Sequence, residues 1–281
     1  EENLRRAIEF QPDFFEALSP LGGVLIEMGR QKEAETHLRH ALNLRPESAE
    51  AVNMLGFLFM FRRQYAKAEA LYRKALEFDP NYALAHFNLG GMLMETRRYE
   101  EAIPECREAV RQSGDVAHFH ATLGMCLRHA GFFPESRDAY RKAVRLLPDS
   151  VFEVQAAYLL PVIASSEGEH LDMRANFQKA FERLMTKDIK VTSYVDEINS
   201  VSFNLAYQAK DDRPLQELVA RFHLKACPDL AWTAPRINIA SQAGKRVKVG
   251  FVSSLLRSTH TIGRLYRGLL RECPRDVFGR R

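Results

Sequence analysis

One spacing constrains this chain more than any other feature: 34 residues. Pro12, Pro46 and Pro80 stand 34 apart, Gly114 takes the next slot and Pro148 the one after. Leu-Gly pairs recur with the same period at 21–22, 55–56, 89–90 and 123–124. A small residue follows in each copy (Ala34, Ala68, Ala102, Ser136), then a bulkier one (Leu38, Tyr72, Cys106, Tyr140), then alanine again (Ala41, Ala75, Ala109, Ala143). Five columns held in register over four copies are no accident of composition. A fixed period of this size marks a repeat architecture. With 46% apolar and 27% charged residues, the chain has the ordinary means to bury a core.

The columns make physical sense as pairs of antiparallel helices. The glycine of Leu-Gly and the small residue of the second helix let two helices approach closely. Proline ends the second helix and starts the turn into the next unit. No unit can bury its apolar face alone, so the units stack into a curved solenoid with a concave inner face. The pattern is identified as the tetratricopeptide repeat. Four repeats are expected at 15–48, 49–82, 83–116 and 117–150, with residues 1–14 as the second half of an earlier one, since Ala7 and Pro12 fall on its columns. The chain is therefore expected to start mid-repeat. Pro20 breaks the scheme, because a proline inside a helix costs ~3 kcal/mol. A late helix start or a kink is expected there.

The first helix of each repeat should line the concave face. Its candidate groove residues are Phe57, Met60 and Phe61, then Phe87, Asn88 and Met94, then Met125. Apolar, adaptable side chains on a groove suit an extended peptide; packing between repeats is the alternative reading of each. Asn88 differs, for its amide can both donate to and accept from a peptide backbone. Its equivalents are Pro20, Met54 and Thr122, so no row of asparagines forms.

Beyond Ser150 the period slips. A helix from Val151 to Ala164 interrupted by Pro161, a loop over Ser165–Glu169 and a helix from Leu171 to Met185 read as a decayed repeat. Val191–Ala209 and Leu215–Ala226 read as another pair, capped by Asp211 and Asp212, so that 151–226 is a degenerate helical extension. Residues 227–246, with the sole tryptophan Trp232, read as a linker. Val247, Val249 and Phe251 then alternate with polar residues or glycine, a strand pattern, before a polar loop holding His260 and an apolar helical spacing at Ile262, Leu265 and Leu269. A strand, loop and helix open an α/β unit. Ligands bind such units at the carboxyl ends of strands, which makes His260 a candidate site residue.

Charge is uneven. The net value is +4, yet residues 245–281 carry ten Lys or Arg against two acids. Basic tails can meet phosphate-bearing ligands, but these charges interleave with apolar helix positions and offer no aromatic platform, which disfavours nucleic acid. Four cysteines lack CxxC spacing and fit a reducing compartment. The histidine pairs His37/His40 and His118/His120 lack a third ligand for a metal. No apolar run approaches the ~18 residues of a membrane span. A cytoplasmic location is the default expectation, and the oligomeric state is left open.

Residues 247–271 resemble the start of the catalytic region of the O-GlcNAc transferase and SPINDLY-like protein glycosyltransferases, through VKVGFVSS, then His260-Thr261-Ile262-Gly263-Arg264-Leu265 and Arg267-Gly268-Leu269. FNLAYQAKDDRPLQE and ACPDLAW, at 203–217 and 226–232, resemble the joining stretch of bacterial members. The resemblance implies a mostly α solenoid followed by a truncated βα start, over 247–281, of a Rossmann-like GT-B domain. It implies transfer of a sugar from UDP-GlcNAc to Ser or Thr of an acceptor protein, and maps an active-site histidine onto His260 and a groove asparagine onto Asn88. Leu255 stands where an aspartate is common, and the loop is one residue longer through Ser258-Thr259. A Rossmann-like half needs on the order of 100–150 residues. The chain by itself is therefore expected to bind no cofactor and to be inactive, serving as the acceptor-recognition part of such an enzyme. The alternative is an adaptor that binds a partner peptide without chemistry.

Overall fold

A computed structural model describes residues 1–159, 166–191 and 211–231. The described residues up to Leu230 belong to one compact unit. They hold twelve α-helices. α1 (Glu2–Phe10) is followed by the hairpins α2 (Phe15–Glu27) with α3 (Gln31–Leu44), and α4 (Ala49–Phe61) with α5 (Tyr65–Phe78). Next come α6 (Ala83–Glu95) with α7 (Tyr99–Gln112) and α8 (Ala117–His129) with α9 (Phe133–Leu146). Beyond them lie α10 (Val151–Ala157), α11 (Glu167–Met185) and α12 (Arg213–Ala226), then a single 3-10 turn at Pro228–Ala231. Among the described residues the fold is thus mostly helical, a solenoid in which each helix packs on the next and the first helices α2, α4, α6 and α8 also pack on one another.

The Leu-Gly column shows why the period is obligatory. A Cβ on Gly22 would lie 2.6 Å from the Leu38 side chain, on Gly56 2.8 Å from the Tyr72 ring, on Gly90 2.6 Å from Cys106 Sγ and on Gly124 2.9 Å from the Tyr140 ring. Each glycine therefore receives the bulky residue of its own second helix. The small column sits at the same crossing: Ala34, Ala68 and Ala102 are fully buried, and Ser136 donates its hydroxyl to the Gly124 carbonyl at 2.6 Å.

A second column is conformational. Gly29, Arg63, Arg97 and Gly131 are 34 apart, and all four have φ between 55° and 88°. Each follows a first helix in the left-handed conformation that closes its C-terminus. The next residue's N–H reaches back to the helix, Arg98 N–H to the Leu93 carbonyl at 2.8 Å being one instance.

Pro20 does not delay its helix. α2 starts at Phe15 and runs through the proline to Glu27. The ring removes one N–H, the one that would have bonded the Glu16 carbonyl, and the tertiary packing of Leu18, Leu21 and Leu25, all fully buried, outweighs that loss. Pro104 sits likewise inside α7.

The C-terminal part departs from the expected boundaries. α10 stops at Ala157, short of Ala164, with residues 160–165 outside the described ones. Pro161 has no N–H to return to the Ala157 carbonyl. α11 begins four residues before Leu171, because Ser166 Oγ accepts from Glu169 N–H at 3.1 Å and Glu167 and Glu169 favour a helix start. At α12, Asp211 accepts from Arg213 N–H at 3.0 Å, while Asp212 makes no capping bond and holds Arg174 at 2.6 Å instead. Tyr158, Phe177, Phe181, Leu215 and Phe222 gather α10, α11 and α12 around one core. The helix expected over 192–209, most of the linker, the strand at 247–251 and His260 lie outside the described residues.

Candidate functional site

The first helices carry two kinds of side chain. Those turned to the second helix are apolar and buried. Those on the other side stay partly open, and this is the face on which the candidate residues fall. Phe57 is half-buried and meets Phe61 edge-on, with ring centroids 5.3 Å apart. Phe61 is 49% exposed, so α4 presents an apolar surface to solvent. Met60 and Met94 are half-buried against the same core cluster, around Leu89 and Met92. Phe87 stacks on Phe119 at 4.7 Å, and Met125 packs against the cluster around Tyr140 and Phe152. The structure thus brings Phe57 to Phe61, while Met60 and Met94 both pack on one core cluster. Phe87 and Met125 are largely spent on packing between repeats.

Asn88 is not a free hand. Its Nδ2 donates to Oδ1 of Asn53 at 3.0 Å, linking α6 to α4. The Asn88 oxygen is what remains for a ligand. Asn53 is fully buried. Beside it, burial and the Glu50 carboxylate push the Tyr82 hydroxyl up to about 12, with the Asn53 amide opposing. Glu50 is itself raised, first by burial and then by the nearby Glu16 carboxylate, while Arg45 opposes. Glu16 already holds Arg45 at 2.8 Å, and Glu50, Asn53, Phe57 and Phe61 follow one another along α4 at spacings of three and four, on one side of the helix.

At the other end the charge changes sign. His129 closes α8, stacks on Tyr99 at 5.1 Å, and is lowered by burial and by Arg128 and Arg97. The corresponding residues one and two repeats earlier are Glu95 and Phe61. Tyr65 donates to Glu95 at 2.9 Å as its counterpart Tyr99 stacks on His129.

Reading the sequence for apolar groove residues missed Glu16, Glu50 and Asn53. The signal was present in the same period: Glu16 and Glu50 share one column, Ser19 and Asn53 another. Among the described residues no group of three His, Cys, Asp or Glu could hold a metal ion. Cys106 and Cys126 lie 3.6 Å apart, Sγ to Sγ, in the core. The Cys126 contact and burial push the Cys106 thiol far up, so it stays protonated. No described helix is long and apolar enough to cross a membrane.

Comparison with known proteins agrees with this geometry. Residues 20–83 and 53–117 match the family model of the tetratricopeptide repeat. Among solved structures, PilF of Pseudomonas aeruginosa is similar over 75% of this chain and 89% of its own, with a TM-score of 0.56 at 21% identity. The structure of MamA from residue 41 to its end, from Desulfovibrio magneticus RS-1, is similar over 62% of this chain and 97% of its own, with a TM-score of 0.51 at 19% identity. At these identities the likeness speaks to the fold alone. No curated protein matches the chain in sequence.

Proposed function

We propose that the chain is a scaffold that holds an extended segment of a partner protein on its first-helix face. The observation that carries this reading is the half-exposed Phe57–Phe61 pair on the side of α4 that also carries Glu50 and Asn53, the latter bonded to Asn88. An apolar anchor would seat against the two rings, its backbone would meet the Asn88 oxygen, and Lys or Arg would face the acidic end. Groove recognition of this kind joins backbone hydrogen bonds to side-chain pockets. Calorimetry with peptides selected on the full chain from a random display library tests it. Phe57→Ala/Phe61→Ala should weaken binding about tenfold or more, as expected for removal of buried aromatic anchors. Unchanged affinity in that variant removes the assignment, and so would peptides lacking any basic residue remove the acidic end from it.

The finer reading is that this scaffold selects acceptor proteins for an O-GlcNAc transferase-like enzyme that uses UDP-GlcNAc, with His260 in its active site. It is supported by the resemblance of residues 247–271 alone. The matches to the repeat family and to repeat structures fit the adaptor equally and favour it as the simpler description. On the transferase reading this chain alone carries one βα unit of a two-half site, so UDP-GlcNAc should leave its melting temperature unchanged. A saturable rise would show a donor site that the reading does not allow.

A further inference from the structure

A cleft of about 780 Å³ lies between α9, α10 and α11. α10 has 7 residues where α8 has 13, and residues 160–165 lie outside the described ones. Four arginines line the cleft: Arg137, Arg141 and Arg145 from α9, and Arg183 from α11. The three on α9 are spaced by four residues and form one stripe of the helix, with ~6 Å between steps and ~12 Å over the row. Beneath them Val144, Leu159, Met173 and Phe177 make an apolar floor.

The acids in the cleft are already engaged. Asp138 pairs with Arg141 at 3.1 Å, and buried Glu153 holds Lys187 at 2.5 Å with Arg183 at 3.8 Å. Arg137 and Arg145 are exposed, and neither makes an ion pair among the described residues. A stripe of arginines over solvent is commonplace. A stripe beside an apolar cleft is an amphipathic surface with a surplus of positive charge.

We propose that this cleft docks an acidic amphipathic segment of a partner protein. Its carboxylates would meet Arg137, Arg141 and Arg145, and its apolar side chains would enter the cleft. Guanidinium and carboxylate match in geometry and charge. Carboxylates placed four apart on a helix recur at the same ~6 Å as the arginines. A single phosphate needs donors that converge on one point, whereas these are strung along a line. A nucleic-acid backbone offers no apolar anchors for the floor, and Phe177, 2% exposed, cannot serve as a stacking platform.

The test is a selection from a display library of random peptides, each about 16 residues long, on the full chain. It is counter-selected against Arg137→Glu/Arg145→Gln. Glutamine is used at 145 because Arg145 sits in the last turn of α9, where an acid would oppose the helix dipole. Circular dichroism checks that the variant folds. The expected peptides carry Asp or Glu at spacings of three or four with Leu, Met or Phe between. They should bind the variant about tenfold more weakly or worse, weaken with added salt, and bind Phe57→Ala/Phe61→Ala as well as the parent. Recovered peptides without that acidic spacing overturn the proposal. So does recovery of none that distinguish the variant, or saturable binding of inorganic phosphate that the variant abolishes while no peptide binds.

Discussion

His223 should make the C-terminal helix pair sensitive to acid. It lies on α12, is 7% exposed, and meets the hydroxyl of Tyr158, the residue that follows α10, at 2.5 Å through Nε2. The rings of Phe181 and Phe222 crowd it at 6.4 and 5.4 Å. Burial pushes its pKa down to about 4, against about 6.5 in an unfolded chain. The folded state therefore refuses a proton that the unfolded state accepts. Its contribution is fully present above pH 6.5 and is lost as the pH falls toward 4. Between pH 7 and pH 5 the loss is ~2 kcal/mol, and a folded pKa one unit higher would still leave ~1.5. The assay is hydrogen exchange of α12 amides at several pH values, corrected for the intrinsic rates. His223→Gln keeps a polar partner for Tyr158 but does not titrate, so it should flatten the pH dependence. His37 and His129 are also lowered and give the same sign, but they survive in the variant. The difference between the two profiles isolates His223. Identical profiles, or an opening free energy that rises as the pH falls, would refute the reasoning.

Two further tests concern the repeats. Arg63→Gly and Arg97→Gly each place glycine where φ is 55° and 63°. Relief of left-handed strain, less the entropy that glycine adds to the unfolded chain, should stabilise each by ~0.5–1 kcal/mol in urea melts. Gly29→Ala, with nothing within 4 Å of its Cβ, should lose stability through the backbone alone. The Tyr72 and Tyr140 hydroxyls are buried and have no hydrogen-bond partner among the described residues. Burial pushes both upward in pKa, Tyr140 to about 12. Tyr72→Phe and Tyr140→Phe should thus hold or raise the melting temperature, because ~1 kcal/mol or more of uncompensated desolvation is removed. A fall of several degrees in either would reveal a partner.

The solenoid was legible because its spacing is enforced by contact. Gly56 and Gly124 recur with Tyr72 and Tyr140 because a Cβ there would enter the ring. Such constraints leave the same residue type in the same column. The left-handed column was less legible, since two of its four members are arginine and the conformation is imposed by the helix end. Pro20 does not delay α2 as one of the two expectations had it, because helix propensity is weaker than the packing of Leu18, Leu21 and Leu25 around it. Past Ser150 the start of α11 was missed where local chemistry replaced the period, Ser166 opening the helix four residues before Leu171. The first-helix face was half legible. Its aromatics stand out by type, but whether Phe87 faces a ligand or Phe119 is decided by neighbours two turns and a repeat away.

The two candidate surfaces differ in sign, and that separates their partners. Glu50 carries the acidity at one end of the first-helix face, since Glu16 beside it already holds Arg45 at 2.8 Å. Arg137, Arg141, Arg145 and Arg183 make the cleft basic. At physiological salt the Debye length is about 8 Å, so each segment responds to the charges it touches and hardly to the net charge of +4. A basic segment that suits Glu50 meets repulsion in the cleft, and an acidic segment that suits the cleft meets it beside Glu50. Like charges brought together at a partly desolvated surface cost several kcal/mol, more than one apolar anchor returns. A chain with these two surfaces could thus hold two different segments at once without exchanging them. A partner carrying a basic stretch and an acidic stretch in tandem would bind through both, with the gain of a tethered second contact.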